Sequence, residues 1–234
     1  MRPYTDRMNE LVNTEDVATP EAPEKTRTKD PERTMAEILA VATREFAAKG
    51  LAGARVDEIA DATRTSKRMI YYYFGSKEGL YLKVLEHAYG VTRESETQFH
   101  LADLDPVTAL KTLVGITYDH HRDNEDFIRL VMNENMERGA YLRQSGVIQK
   151  LNTPAIEAIA GIYERGRALR VFREGLDPVE IHSIISALAF FNVSNRHTFG
   201  LIFGDKSEDG RARTLTREVV QDLVMRFVWN NQAA

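Results

Sequence analysis

Between Thr63 and Lys83 the chain concentrates side chains that it spreads thinly elsewhere. Arg64, Lys67, Arg68, Lys77 and Lys83 face a single acid, Glu78, in a protein whose 31 Lys and Arg are outnumbered by 35 Asp and Glu. The same stretch holds Thr65, Ser66 and three consecutive tyrosines, Tyr71, Tyr72 and Tyr73. Clustered cations neutralise phosphates, while Arg and hydroxyl groups hydrogen-bond base edges, so this chemistry suits the surface of duplex DNA. The overall charge of −4 does not advertise such a partner; the clustering does. On composition alone, a helical hairpin with solvated lysines remains the plainer alternative.

Catalytic chemistry finds no comparable concentration. The 234 residues include no cysteine, which removes disulfides, thiolate nucleophiles and Cys-based metal sites. There is no GxSxG elbow, phosphate-binding glycine loop or HExxH pair, so the chain does not read as an enzyme. The histidine spacings fit no compact metal motif, and neither a metal nor a cofactor is expected. Apolar residues at 43% and charged ones at 28% are ordinary for a globular fold. The longest apolar stretch, Ile185 to Phe191 with Ser186 inside it, falls well short of the roughly 18–20 residues that span a bilayer. With no apolar secretory core near the N-terminus, a cytoplasmic protein without membrane contact is expected.

The elements that must position these groups are helices. Residues 1–30 mix Pro, Thr, Glu and Lys without apolar periodicity and read as a disordered arm. Met35, Ile38, Leu39, Ala42 and Phe46 then mark one face of a helix that Asp30-Pro31 opens and Gly50 closes. Two short helices follow, about 56–62 and 66–74, joined by a turn at Thr63 to Thr65. That is the helix-turn-helix unit. In its second helix Ile70 and Phe74 point inward, which turns Thr65, Arg68 and Tyr72 outward with Tyr71 at their flank. Ser76 is placed to cap a long fourth helix running towards Phe99. Further helices are expected at 106–122, 124–138, 147–167 with a kink near Pro154, from Asp177-Pro178 onward, and 211–230. The fold class is all-α.

The strings Val56-Asp57-Glu58-Ile59-Ala60 and Thr65-Ser66-Lys67-Arg68-Met69-Ile70-Tyr71-Tyr72-Tyr73-Phe74-Gly75-Ser76-Lys77-Glu78-Gly79-Leu80 resemble the DNA-binding domain of the TetR family of bacterial transcriptional regulators. The resemblance implies an N-terminal three-helix helix-turn-helix domain at 31–78, and a C-terminal helical ligand-binding and dimerisation domain at 79–234. It implies that Ser66 caps the recognition helix and touches a phosphate. Lys67, Arg68, Tyr71 and Tyr73 would lie on bases or backbone, and Lys77 would hold a phosphate at a helix N-terminus. Tyr72, which the helical wheel turns outward, joins Thr65 as a DNA contact. Arg55 stands where the family places a capping Ser or Thr, losing a cap and gaining a phosphate contact. Arg64 replaces the customary turn glycine, so a turn that keeps a positive φ there is strained.

The resemblance also implies a homodimer, formed by two apolar helices: Ile181 to Val193, and a stripe from Leu215 to Val228. A two-fold protein reads a palindromic double-stranded operator. Between these helices and the DNA-binding domain, the family carries a mostly apolar pocket for a small-molecule effector. The polar residues at helical positions there are Tyr118, His120, His121, Arg129, Asn133, Glu134, Tyr163, His182, Asn192, Asn195, Arg196 and His197. The effector-binding set is expected among Tyr118, His121, Arg129, Asn133, Glu134, Tyr163, Asn192 and Arg196, although for any one of them a hydrogen-bonded structural role is the plainer reading. The fourth helix would act as lever between pocket and DNA. The implied function is a ligand-released repressor; a DNA-bound protein that recruits a protein partner, or an activator, is the alternative.

Overall fold

The computed structural model describes residues 30–97, 99–204 and 215–230. The arm expected before residue 30 and the expected start of the last helix at Arg211 lie outside the described residues. Within them every regular element is helical: α1 (Pro31–Gly53), α2 (Val56–Ala62), α3 (Lys67–Phe74), α4 (Lys77–Thr97), α5 (Pro106–Asp123), α6 (Glu125–Met136), α7 (Gly146–Ala168), α8 (Pro178–Ser194), α9 (Arg196–Phe203) and α10 (Arg217–Val228). No described helix is long and apolar enough to cross a membrane.

Local chemistry sets most of the boundaries. The Asp30 carboxylate accepts the backbone N–H of Glu32 at 3.1 Å, and Pro31 occupies the first turn, where its missing N–H costs nothing. Gly50 interrupts α1 at φ +65°, a conformation that a residue with a Cβ adopts only under strain. Asp105, Ser145, Asp177 and Thr216 cap α5, α7, α8 and α10 in the same manner as Asp30.

One long helix matches the sequence expectation and two features differ from it. As expected, Pro154 lies inside a single long helix, Gly146–Ala168. Around it, Asn152 Nδ2 and Thr153 Oγ1 donate to the carbonyls of Ile148 and Gln149, at 2.7 and 3.3 Å. The loop expected at 139–146 contains a 3-10 turn at Leu142–Gln144. Finally α9, which sequence did not separate, begins one residue after α8, with Asn195 in helical conformation serving both ends.

Packing divides into two principal cores. The first joins Ile38, Ala42 and Phe46 of α1 to Ile59, Ile70, Leu80, Tyr81 and Val84, and draws in Leu130 of α6 and Ile148 of α7. The core around the helix-turn-helix is thus closed partly by helices of the second half of the chain. The other core packs Leu110 and Val114 of α5, Ile162 of α7, Ile181 and Ile185 of α8, and Val220 and Val224 of α10. A smaller cluster between them holds Phe127, Ile128 and Val193, with Tyr89 and Phe190 against it.

Candidate functional site

The helix-turn-helix is built by its turn. Thr63 Oγ1 donates to the Ile59 carbonyl at 2.8 Å, and the Thr65 N–H reaches the Ala60 carbonyl at 3.0 Å. Between them Arg64 takes φ +51°, so the turn keeps the positive value and its strain of about 1 kcal/mol. Ser66 Oγ accepts the Met69 N–H at 3.2 Å and starts α3. Ile70 has no exposed surface, which fixes the rotation of this short helix about its axis.

That rotation decides what faces out. Tyr72 is 77% exposed and Tyr71 37%, with Ser66, Lys67 and Arg68 exposed beside them. Tyr73 is half-buried, its ring edge-on to Tyr72 at 5.3 Å and to Phe74 at 6.2 Å. The helical wheel and the family position gave different answers for these two tyrosines, and in the structure the outward ring is Tyr72. Lys67 pairs with Asp57 at 3.0 Å, and that hydrogen bond raises its pKa. Such an exposed pair holds little energy and can exchange its carboxylate for a phosphate. Lys77 Nζ donates to the Ala52 carbonyl at 3.4 Å, tying the start of α4 to the end of α1. Ser76 Oγ accepts the Gly79 N–H at 3.0 Å as the cap of α4. A Cβ on Gly79 would collide with the Phe74 carbonyl, a close approach that the sequence did not flag. Arg55 is exposed and its side chain makes no cap, as expected, while its N–H donates to Glu45 at 3.3 Å.

The residues expected to bind an effector fall into three groups. Tyr118 and Asn192 both donate to the Leu215 carbonyl, at 2.9 and 3.3 Å, and Asn192 also accepts the Leu215 N–H; Tyr163 accepts the Leu176 N–H and donates to the Arg173 carbonyl, each at 3.1 Å. These three are committed to backbone.

A second group lies where α6 meets α1. Arg129 Nε and Asn133 Nδ2 donate to the carbonyls of Ala47 and Phe46, at 3.0 and 3.2 Å, satisfying the end of α1. Glu125 pairs with both Arg129 and Arg196, which carries the connection to α9. Buried Glu134 accepts the N–H groups of Tyr141 and Leu142 at 3.1 and 3.0 Å. Burial first, then this carboxylate, pushes the Tyr81 phenol up. Arg129, Asn133 and Glu134 line a cleft of about 740 Å³ together with Gly50, Lys77 and Tyr81.

His121 stands alone in the third place. It is 6% exposed, and its Nδ1 is buried without a hydrogen-bond partner, an arrangement that costs about 1–3 kcal/mol. Phe127 of α6 and Phe190 of α8 flank it at 6.1 and 6.4 Å, and His120 lies 6.2 Å away. Burial, followed by the charges of His120, Arg93 and His182, pulls its pKa down to about 4. His120 and His182, which the sequence reading had named among the polar groups, are lowered too, chiefly by burial and then by Arg93. Among the described residues no group of three His, Cys, Asp or Glu is disposed to hold a metal ion.

Comparison with known proteins agrees with this geometry. Residues 38–84 match the family described as bacterial regulatory proteins, tetR family, and residues 106–224 match the tetracyclin repressor-like C-terminal domain. The HTH-type transcriptional repressor NicS of Pseudomonas putida is 32% identical over 86% of this chain and 94% of its own. A bacterial regulatory protein in the tetR family from Rhodococcus superposes with a TM-score of 0.66 at 20% identity, over 86% of this chain and 99% of that one. AibR, solved with isovaleryl coenzyme A and operator DNA, shares the fold with a TM-score of 0.59 at 17% identity, over 84% and 98% of the two chains.

Proposed function

Since the chain belongs to the TetR family and is a DNA-binding transcriptional regulator, we propose that it is a cytoplasmic, ligand-responsive repressor that binds a palindromic operator as a homodimer and is released by a small-molecule effector. The observation that carries this reading is the outward face of α3. Arg68, Tyr71 and Tyr72 project from a helix whose opposite side is locked into a core by Ile70. Lys67 and Ser66 at its N-terminus, Thr65 in the turn, Arg55 before α2 and Lys77 at the start of α4 complete a surface suited to phosphates on both sides of a major groove. Tyr73, half-buried, supports Tyr72 and reaches the backbone from its edge.

Dimerisation is supported by apolar surface that the monomer leaves open. Phe191 of α8 and Val219 and Leu223 of α10 are 44%, 42% and 40% exposed, although both helices also contribute to a core. Pairing these faces across a two-fold axis gives a four-helix interface and sets the spacing of the two α3 helices. The effector acts by binding one spacing better than the other; without such a preference it would shift nothing.

The test is fluorescence anisotropy of the purified protein on the DNA upstream of its own gene, across a salt series, with Lys67→Ala and Tyr71→Ala beside the wild type. Tight binding that weakens steeply with salt and is lost in both variants is expected. A folded dimer without specific binding at any salt would overturn the reading.

A further inference from the structure

The cleft between α1 and α6 has the size of a ligand pocket and an excess of acid that its own cations do not settle. Its volume is about 740 Å³, within the roughly 300–1,000 Å³ typical of small-molecule sites. The end of α1 forms one wall, the start of α4 another, and Ile128, Met132 and Met136 of α6 a third. Its lining carries four carboxylates, Glu78, Glu125, Glu134 and Glu137, against Lys49, Lys77, Arg129 and His197. Those bases are engaged away from Glu134. Lys49 pairs with Glu45 at 2.8 Å and with Glu58, neither of which lines the cleft. Arg129 and His197 lie against Glu125, and Lys77 donates to the Ala52 carbonyl at 3.4 Å.

Glu134 is 1% exposed. Its Oε2 accepts two backbone N–H groups, at 3.1 and 3.0 Å, while Oε1 is buried without a hydrogen-bond partner. The Tyr81 phenol is near enough to be pushed up, first by burial and then by this carboxylate, yet it does not satisfy Oε1. A buried carboxylate held by neutral donors is stabilised most by a positive charge. Beside it the rings of Tyr81 and Tyr141, both lining the cleft, meet edge to face at 5.2 Å. Aromatic rings and methionines suit a cation carried on an apolar body.

We propose that this cleft receives an organic cation, a primary amine on an aromatic or aliphatic body, with its ammonium donating to Glu134 Oε1 and its body against Tyr81 and Met132. The proposal rests on the effector-binding reading above and gives that effector a place and a chemical class. An anion would meet the surplus carboxylates, and a neutral ligand would leave Glu134 without a counter-charge. The position also suits a signal. Tyr81 packs edge-on against Phe46 at 5.1 Å, and Arg129 and Asn133 on the opposite wall hold the Ala47 and Phe46 carbonyls, so an occupant bears directly on the end of α1.

The experiment is isothermal titration calorimetry of the full chain with phenethylamine and hexylamine, each beside the alcohol of the same skeleton, at neutral pH. The amines should bind about tenfold or more tighter than the alcohols. Glu134→Gln should bring the amines down to the affinity of the alcohols. Because Glu134 also holds two backbone N–H groups, Ala48→Trp is the second variant: it fills the cleft from an exposed position on α1, leaves the carboxylate intact, and should abolish binding of amine and alcohol alike. Equal binding of amines and alcohols, an amine preference kept by a folded Glu134→Gln, unchanged binding by Ala48→Trp, or no amine binding at millimolar concentration would overturn the assignment. Operator release measured in parallel separates the two levels. If an amine binds through Glu134 but leaves the operator bound, the cation site stands and the released-repressor reading fails. If an acid or neutral compound releases the operator from the Ala48→Trp variant as well as from the wild type, the sensor stands and the effector role of this cleft fails.

Discussion

Replacing His121 by phenylalanine should make the protein less sensitive to acid. In the folded chain this histidine titrates near 4, against an ordinary value of 6.5, because burial and the surrounding cations disfavour its charged form. Below pH 6.5 the unfolded chain takes a proton that the native one refuses, so stability falls as pH drops from 6.5 to about 4 and is unaffected by this group above that window. At pH 5 the penalty works out to about 2 kcal/mol, at about 1.4 kcal/mol per unit of pKa difference. Phenylalanine has similar volume and does not titrate, so the variant escapes the term whatever its stability at neutral pH. The assay is urea unfolding at pH 7.5 and pH 5, with protein concentration held fixed so that any self-association contributes equally to both measurements. Between the two pH values the wild type should lose about 2 kcal/mol more than the variant, with carboxylates and the other histidines cancelling in the difference. Equal losses would refute the claim that His121 is buried as a neutral base.

Three further outcomes follow from particular contacts. Ser66→Ala removes the acceptor for the Met69 N–H and should cost about 1 kcal/mol of stability in chemical denaturation, with weaker operator binding; unchanged affinity would mean that α3 needs no cap on DNA. Phe191→Asp places a charge on the open apolar face of α8 and should shift the protein to monomer in light scattering, while a persisting dimer would move the interface elsewhere. Gly166→Ala drives a Cβ into the ring of buried Phe172 and should cost about 1–3 kcal/mol in thermal melts, with no direct effect on DNA contacts.

The DNA-binding half was legible because its determinants are local. Asp30-Pro31, Gly50, Ser66 and Ser76 each act within four residues of themselves, so their roles could be read off the string. The orientation of α3 followed from Ile70 and Phe74 by helical spacing, and that spacing picked out Tyr72 as the outward ring. Elsewhere the partners are remote. Tyr118 finds its acceptor 97 residues away and Asn133 finds one 87 residues away, and no local pattern distinguishes either from a ligand-binding residue. The break between α8 and α9 was illegible for the opposite reason: Asn195 stays helical, and no glycine or proline marks the change of direction. His121 was nameable as a polar residue on a helix, but its isolation depends on what α4, α6 and α8 bring around it.

Those same remote contacts link the two halves of the chain. The sequence suggested α4 as the lever, and α4 does carry Tyr89 against the central cluster and Lys77 against the end of α1. Yet α6 makes the more specific connection. Phe127 near its start packs on His121, while Arg129 and Asn133, about half a turn and somewhat under two turns further on, hold two carbonyls at the end of α1. Glu125, bound to both Arg129 and Arg196, further ties α6 to α9. Any movement of Phe127 is thus linked through α6 to the carbonyls of Phe46 and Ala47, on the helix that packs against the helix-turn-helix.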